Sequence, residues 1–170
     1  MDERARFDAF LALLEELVES NDATPILVEG QRDVAALRAL GCRGRILVIH
    51  TGEPLVVVAE RLASELREVI LLTDWDRKGD AFFESFAGTL AREGVRCDRS
   101  FRDKIPAYAR NAFKDVESLA GHVARGLHKF HGKALAEHAE GLSLDLHALA
   151  AKLGDEFRPE PLPDKKRRKR

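Results

Sequence analysis

VILLTDWDRKG, residues 69–79, begins with four consecutive apolar residues and continues into two aspartates, Asp74 and Asp76, that are separated by one position. A short apolar run of this kind, partly β-branched and followed by polar residues, is typical of a buried β-strand. In an extended segment, side chains two positions apart point to the same side. The run therefore predicts a strand whose carboxyl end presents two carboxylates together.

A similar arrangement occurs upstream, where PILVEG, residues 25–30, ends an apolar run in Glu29. Around these runs, apolar segments alternate with segments of helical periodicity. The predicted strands are Ile26–Val28, Ile46–Ile49, Val69–Leu72 and Val95–Cys97, and the predicted helices cover 33–40, 54–66 and 78–92. Uniformly apolar strands separated by helices indicate an α/β fold, with a mostly parallel four-stranded sheet flanked by helices. Ligands bind at the carboxyl ends of such strands, so Glu29 would face the aspartates if the first and third strands are neighbours.

Helical patterns also flank the predicted sheet. Apolar residues from Phe7 to Val18 recur at spacings of three and four, which predicts an amphipathic helix, and two further helices are predicted over 109–123 and 133–153. The resulting divisions are residues 1–24 for the N-terminal helix, 25–125 for the α/β domain, 126–158 for a C-terminal helical extension, and 159–170 for a proline-containing linker with a basic tail.

Composition indicates a globular protein that does not coat nucleic acid electrostatically. Of 170 residues, 45% are apolar and 34% are charged, and no apolar run approaches the roughly 20 residues that span a bilayer. The net charge of −1 includes six basic residues, Lys165–Arg170, without which 22 basic residues face 29 acidic ones. This tail is either a solvated end or a phosphate-binding arm. Cys42 and Cys97 form neither a disulfide framework nor a metal-binding motif, which suits a cytoplasmic location.

Two motifs resemble those of the Toprim domain, a family shared by topoisomerases, bacterial-type primases and several nucleases. VEGQRD, residues 28–33, looks like its first motif, and DWDRKG, residues 74–79, looks like its Asp-x-Asp-x-x-Gly motif. The resemblance covers about residues 25–119, because FKDVESL, residues 113–119, is similar to a segment that follows the domain in primase-like members. Since the chain has no room for primase or topoisomerase accessory domains, it looks like a small stand-alone member, similar to archaeal proteins and to the ribosomal-RNA maturation ribonuclease.

The resemblance implies a set of site residues. Glu29 would act as a general acid or base and, with Asp74 and Asp76, would hold Mg²⁺, for which Mn²⁺ can substitute. The supporting residues are Asp33, which would cap a helix or steady the site, and Gly30 and Gly79, which would give the backbone room to approach a phosphate. The basic residues that would bind nucleic acid, or merely balance the acidic charge, are Arg32, Arg77, Lys78, Lys165, Lys166, Arg167 and Arg168.

Three functions remain open from the sequence. The first is a Mg²⁺-dependent protein that cleaves or processes nucleic acid, with RNA slightly favoured by family analogy. The second is a non-catalytic binding module of an RNA-processing or replication assembly, which would contact a protein partner through the N-terminal helix around Phe7 and Leu14. The third is a haloacid-dehalogenase-like phosphatase with Asp74 as nucleophile, although that motif usually lies near the start of its domain.

Overall fold

A computed structural model describes residues 2–109 and 112–131. Its helices are α1 (Glu3–Ala23), α2 (Gln31–Ala39), α3 (Leu55–Glu65), α4 (Arg77–Arg92), α5 (Ser100–Ala109) and α6 (Leu119–His131). Its strands are β1 (Ile26–Val28), β2 (Ile46–Val48), β3 (Glu68–Leu72) and β4 (Arg96–Asp98). The four strands and the three helices predicted between them are present, with ends that differ by at most two residues from the predicted ones.

The strands form one parallel sheet in the order β2-β1-β3-β4. The chain passes from β1 to β2 on one side and later returns to β3 on the other side of β1. The loops after β1 and β3 therefore leave the same edge of the sheet in opposite directions, which opens a crevice between them. Val28 pairs with Leu72, so these two strands end at the same level.

Alternate residues of the strands pack into two apolar layers. Ile26, Val28 and Leu72 join the larger cluster with side chains of α1, α2, α5 and α6, whereas Leu27 and Leu71 join the cluster formed with α3 and α4. Because successive residues of a strand point to opposite faces, this division follows from the apolar runs themselves. The predicted α/β architecture with helices on both faces is confirmed.

Helix α1 is part of this core. Asp2 begins the helix by accepting a hydrogen bond from the Ala5 N–H at 2.7 Å, and the helix ends at Ala23. Phe7 and Leu14 are buried, with exposures of 5% and 4%. The surface suggested for a protein partner is therefore occupied by the chain's own core.

The region after β4 differs from the sequence-based expectation. Helix α5 was not predicted, since Pro106 in its interior lacks a backbone donor and weakens the helical pattern. The prediction of a helix over 109–123 is wrong between residues 112 and 118, where the described backbone is not helical. Helix α6 includes Gly126, where a side chain has no space because a Cβ would lie 2.0 Å from the Phe7 ring.

Some sequence-based predictions fall outside the described residues, namely the helix over 133–153, the proline-containing linker and the basic residues Lys165, Lys166, Arg167 and Arg168. The predicted division between residues 125 and 126 falls inside α6. None of the helices in the described ranges is long and apolar enough to cross a bilayer.

Candidate functional site at the carboxyl ends of β1 and β3

Glu29 and Asp74 are in direct contact. Glu29 follows β1 and Asp74 lies two residues after β3, and the matched register of these strands places both at one edge of the sheet. Glu29 Oε1 accepts a hydrogen bond from the Asp74 backbone N–H at 3.1 Å. Two of the three predicted acids, 45 residues apart in the chain, are thus brought together by strand pairing.

These acids line an open cleft of about 600 Å³. The lining residues are Glu29, Gly30, Gln31, Arg32, Asp33, Val48, His50, Thr51, Asp74 and Glu117. Four of them are carboxylic acids and only Arg32 is a permanent cation. A ligand that fits this cleft must therefore tolerate or neutralise a concentration of negative charge.

The pKa of Asp74 is raised in this cleft. Burial raises the pKa of its carboxyl group to about 6, and the nearby charges of Glu29, Asp33 and Asp115 act in the same direction. A hydrogen bond from the Val116 N–H to Asp74 Oδ1, at 3.1 Å, opposes the shift only in part. A cation bound beside Asp74 would relieve this repulsion.

The acidic cluster extends beyond the residues chosen from the sequence. Glu117 lines the cleft, and the charges of Glu117 and Asp115 help to raise the pKa of Asp33 after the larger effect of burial. Both acids belong to the segment whose similarity to primase-like proteins was noted, although neither was assigned to the site. The similarity of that segment to primase-like proteins was the sequence feature that could have pointed to these acids. The incorrect helix prediction gave the wrong positions for their side chains.

Asp76 occupies a different position from Glu29 and Asp74. It begins α4, where its Oδ1 accepts a hydrogen bond from the Gly79 N–H at 2.7 Å, and it is not among the residues that line the cleft. Arg77 and Lys78 follow in the first turn of α4 and are exposed, also outside the lining. The structure thus gives Asp76 a helix-capping contact and leaves these two cations facing solvent beside the site.

Asp33 and the two glycines have structural roles that the geometry makes specific. Asp33 Oδ2 accepts a hydrogen bond from the Gly30 N–H at 2.9 Å, which is the helix-capping contact expected for it. Gly79 is required for close approach, because a Cβ there would lie 2.1 Å from the Asp74 carbonyl oxygen. Gly30 is not: its φ is −145° and an added Cβ would meet nothing closer than 3.9 Å.

The donor chemistry of the cleft fits Mg²⁺ better than it fits a softer metal. Mg²⁺ prefers carboxylate oxygen and commonly uses only one or two carboxylates while keeping several waters. Glu29 and Asp74 supply such donors, and Asp76 lies two positions further along the loop. Within residues 2–109 and 112–131, however, no three acidic, histidine or cysteine side chains are already arranged around one point. The side chains are of the right kind, but a complete ligand set is not preassembled.

Trp75 packs into the protein rather than toward the cleft. Its ring meets Phe113 edge to face at 5.6 Å, its backbone N–H donates to the Lys114 carbonyl at 2.8 Å, and its indole N–H donates to the Arg102 carbonyl at 2.8 Å. The loop between Asp74 and Asp76 is consequently held by segments that come later in the chain.

The parallel sheet and the acids after β1 and β3 lie within a Toprim domain. Residues 24–101 match the family model of the Toprim domain. The chain belongs to the UPF0292 family, as its similarity to archaeal relatives over most of their length shows. This assignment supports the Toprim interpretation over the phosphatase alternative.

The similarities to individual proteins are as follows. The UPF0292 protein of Methanocaldococcus jannaschii is 34% identical over 121 residues, which cover 71% of this chain and 94% of the relative. That of Thermoplasma volcanium is 40% identical over 109 residues, or 64% of this chain and 90% of the relative. The solved structure of a protein from Aquifex aeolicus shares the fold with a TM-score of 0.56 at 24% identity, covering 64% of this chain and 95% of that one.

Proposed function

We propose that this protein is a Mg²⁺-dependent Toprim enzyme that acts on phosphodiester bonds of nucleic acid, as a nuclease or RNA-processing factor. The observation that carries the proposal is the contact of Glu29 with the Asp74 backbone in a cleft lined by four acids. Membership of the Toprim class supports a metal-dependent function related to nucleic acid. Carboxylates confined in this way, with one of them raised in pKa to about 6, are characteristic of sites that bind cations or transfer protons.

Glu29 and Asp74, with Asp76, are the residues that would hold the ion. When bound, Mg²⁺ supplies positive charge that stabilises the non-bridging oxygens of a phosphodiester under attack. The chain itself must provide a group that holds or delivers a proton, and we assign this role to the Glu29 carboxyl group. Its Oε1 is fixed by the Asp74 N–H, so the group is oriented before substrate arrives.

Arg32 is the cation best placed to meet a substrate phosphate. Its side chain is 86% exposed at the cleft, and its guanidinium lies 3.8 Å from Glu117, which leaves most of its donors open to solvent. Arg77 and Lys78 present further positive charge next to Asp76. We favour structured RNA over DNA as the substrate, on family analogy alone, and we include the basic residues 165–168 as an additional contact with the phosphate backbone.

The test uses substitutions that keep the observed hydrogen bonds while removing charge. Glu29→Gln, Asp74→Asn and Asp76→Asn each retain the oxygen that accepts from a backbone N–H. End-labelled RNA hairpins and DNA hairpins of matching sequence are incubated with protein and Mg²⁺, Mn²⁺ or EDTA. Glu29→Gln is expected to lower the cleavage rate by roughly 10²- to 10⁴-fold, as the loss of a general acid or base does.

Glu60→Gln serves as the control, since Glu60 is an exposed acid on α3, away from the cleft. Cleavage that is equally fast in Glu60→Gln and in all three site variants would remove the catalytic assignment. Cleavage that persists in EDTA would remove the metal from the mechanism.

The second candidate is a non-catalytic Toprim module that binds a cation and a nucleic-acid or protein partner. One observation favours it specifically: the Asp74 and Asp76 carboxylates already accept backbone hydrogen bonds, and no three-residue ligand group is preassembled in the described parts of the chain. Mg²⁺ binding measured by calorimetry, together with no turnover of either hairpin, would support this module over the enzyme.

A further inference from the structure

Arg102 is a buried arginine that points into the body of the protein beside the acidic loop. Its side chain is only 7% exposed. Burying a guanidinium is costly unless hydrogen bonds and opposite charge compensate for the lost water. The groups that accept hydrogen bonds from this side chain therefore indicate the structural role of the buried charge.

Its donors converge on the residues that surround Asp74. Nε donates to the Thr73 hydroxyl at 2.8 Å, and Nη2 donates to the Asp74 carbonyl at 2.7 Å and to Asp80 Oδ1 at 2.6 Å. The planar guanidinium offers these donors in a fixed arrangement, so it restrains orientation as well as position. The Asp74 backbone is thereby held at its carbonyl by Arg102, whereas Glu29 accepts from its N–H.

The Thr73 hydroxyl carries this restraint into helix α4. It accepts from Arg102 Nε and donates to the Gly79 carbonyl at 3.0 Å. Gly79 in turn donates its N–H to Asp76 and has no space for a Cβ beside the Asp74 carbonyl. One continuous set of hydrogen bonds therefore links Arg102 to the start and the end of the loop that carries both aspartates.

Arg99, which directly precedes α5, offers a comparison with Arg102. The guanidinium carbons of Arg99 and Arg102 lie 5.1 and 5.0 Å from the centre of the Phe83 ring, so both make the same cation–π contact. Arg99, however, is half exposed and pairs with Asp103 and Glu84 rather than with the loop. The two arginines share the aromatic contact and differ in the hydrogen bonds to the site.

We propose that Arg102 is a positioning residue of the cation site, which orients the loop from Thr73 to Asp76 so that Asp74 and Asp76 can bind a divalent ion together with Glu29. The proposal rests on the proposed metal-dependent function and adds to it a residue that does not touch the ion. Arg102 lies outside residues 24–101, which match the Toprim family model.

The first measurement reports the loop without any metal. Trp75 is the only tryptophan of the chain and lies inside the loop, so its fluorescence reports loop position directly. Arg102→Met is expected to shift Trp75 emission to longer wavelength and to increase its quenching by acrylamide, whereas Arg99→Met leaves both unchanged. Urea unfolding of each variant shows whether it is folded under the same conditions.

The second measurement is the affinity for Mn²⁺ alone, from electron paramagnetic resonance of the free ion. Loss of a residue that orients metal ligands weakens binding by roughly 10- to 100-fold, and we expect Arg102→Met to fall in this range and Arg99→Met to match wild type. Arg102→Lys preserves the charge without the planar arrangement of donors, and it provides a folded variant if the methionine variant does not fold. Lysine should therefore fail to restore Mn²⁺ affinity.

Several outcomes would overturn the proposal. Wild-type Mn²⁺ affinity in Arg102→Lys would show that charge suffices, and unchanged Trp75 quenching in Arg102→Met would show that the loop does not depend on this side chain. If wild type binds Mn²⁺ but cleaves no nucleic acid, the enzymatic proposal fails while the role of Arg102 stands. If wild type binds no Mn²⁺, the metal assignment fails, and the part of this proposal that concerns the cation fails with it.

Discussion

Asp74→Asn should stabilise the metal-free protein, although it removes a proposed ligand. Burial and the charges of Glu29 and Asp33 disfavour the ionised Asp74 carboxylate, which is why its pKa is about 6 rather than 3.8. Asparagine is nearly isosteric and keeps the Oδ1 atom that accepts from Val116 N–H. The substitution therefore removes the electrostatic repulsion and preserves the hydrogen bond.

The magnitude follows from the two pKa values. Each pKa unit corresponds to about 1.4 kcal/mol. The difference between 3.8 and about 6 therefore means that ionisation of Asp74 lowers the free energy of unfolding by at most about 3 kcal/mol. The folded state binds the proton more tightly than the unfolded state. The contribution of Asp74 to the free energy of unfolding therefore falls as pH rises from 3.8 to about 6 and stays low above that. The advantage of Asp74→Asn is largest above pH 6 and shrinks to nothing below 3.8.

The assay is urea unfolding followed by far-ultraviolet circular dichroism, in EDTA, at a series of pH values. Glu60→Gln is the control for removal of an exposed acidic charge. Saturating Mg²⁺ should reverse the order of stability, because an ion that binds only the folded wild type stabilises it in proportion to RT ln(1 + [Mg²⁺]/Kd). The reasoning is refuted if Asp74→Asn is less stable than wild type in EDTA near neutral pH, or if the difference does not shrink on acidification.

Three further substitutions or treatments have defined outcomes. Gly79→Ala should destabilise the protein by about 1–3 kcal/mol in urea unfolding, because the alanine Cβ would meet the Asp74 carbonyl. Gly30→Ala should be nearly neutral, and equal effects of the two substitutions would contradict the requirement for close approach at Gly79. Burial lowers the pKa of His122 below 6.5, so the neutral ring favours folding and the free energy of unfolding falls as pH drops below 6.5. His122→Phe should reduce that loss relative to wild type, and an identical loss in both proteins would exclude His122 as its source. Burial raises the pKa of the Cys42 thiol to about 12, so iodoacetamide should modify this thiol slowly in the folded protein near neutral pH and rapidly in urea. Mass spectrometry would measure the labelling, and fast labelling of Cys42 in the folded protein would be inconsistent with its burial.

The part of the site that rests on strands could be predicted from local sequence. The apolar runs that end in Glu29 and Asp74 predict buried parallel strands, and parallel strands place their carboxyl ends at one edge. The runs themselves left open whether β1 and β3 are neighbours. The structure supplies this step, because Val28 pairs with Leu72.

The residues that complete the site could not be located in this way. Arg102 acts through contacts made 22 to 29 positions away, and no local pattern distinguishes it from Arg99 three residues earlier. The sequence around Val116 predicts a helix because its apolar residues recur at helical spacing. Its backbone instead forms hydrogen bonds with the Asp74 side chain and with the Trp75 backbone, and these tertiary contacts outweigh the local preference.

The attachment of the acidic loop has a consequence for how the protein is made. Residues 24–101 contain every acid of the proposed metal site and part of the hydrogen bonding that holds their loop, whereas three further groups that hold it, Arg102, Lys114 and Val116, come later. During synthesis the full set of these contacts can form only after residue 116 has been added. A chain ended at residue 101 would therefore keep the residues that match the Toprim family model and lack these three later contacts with the acidic loop.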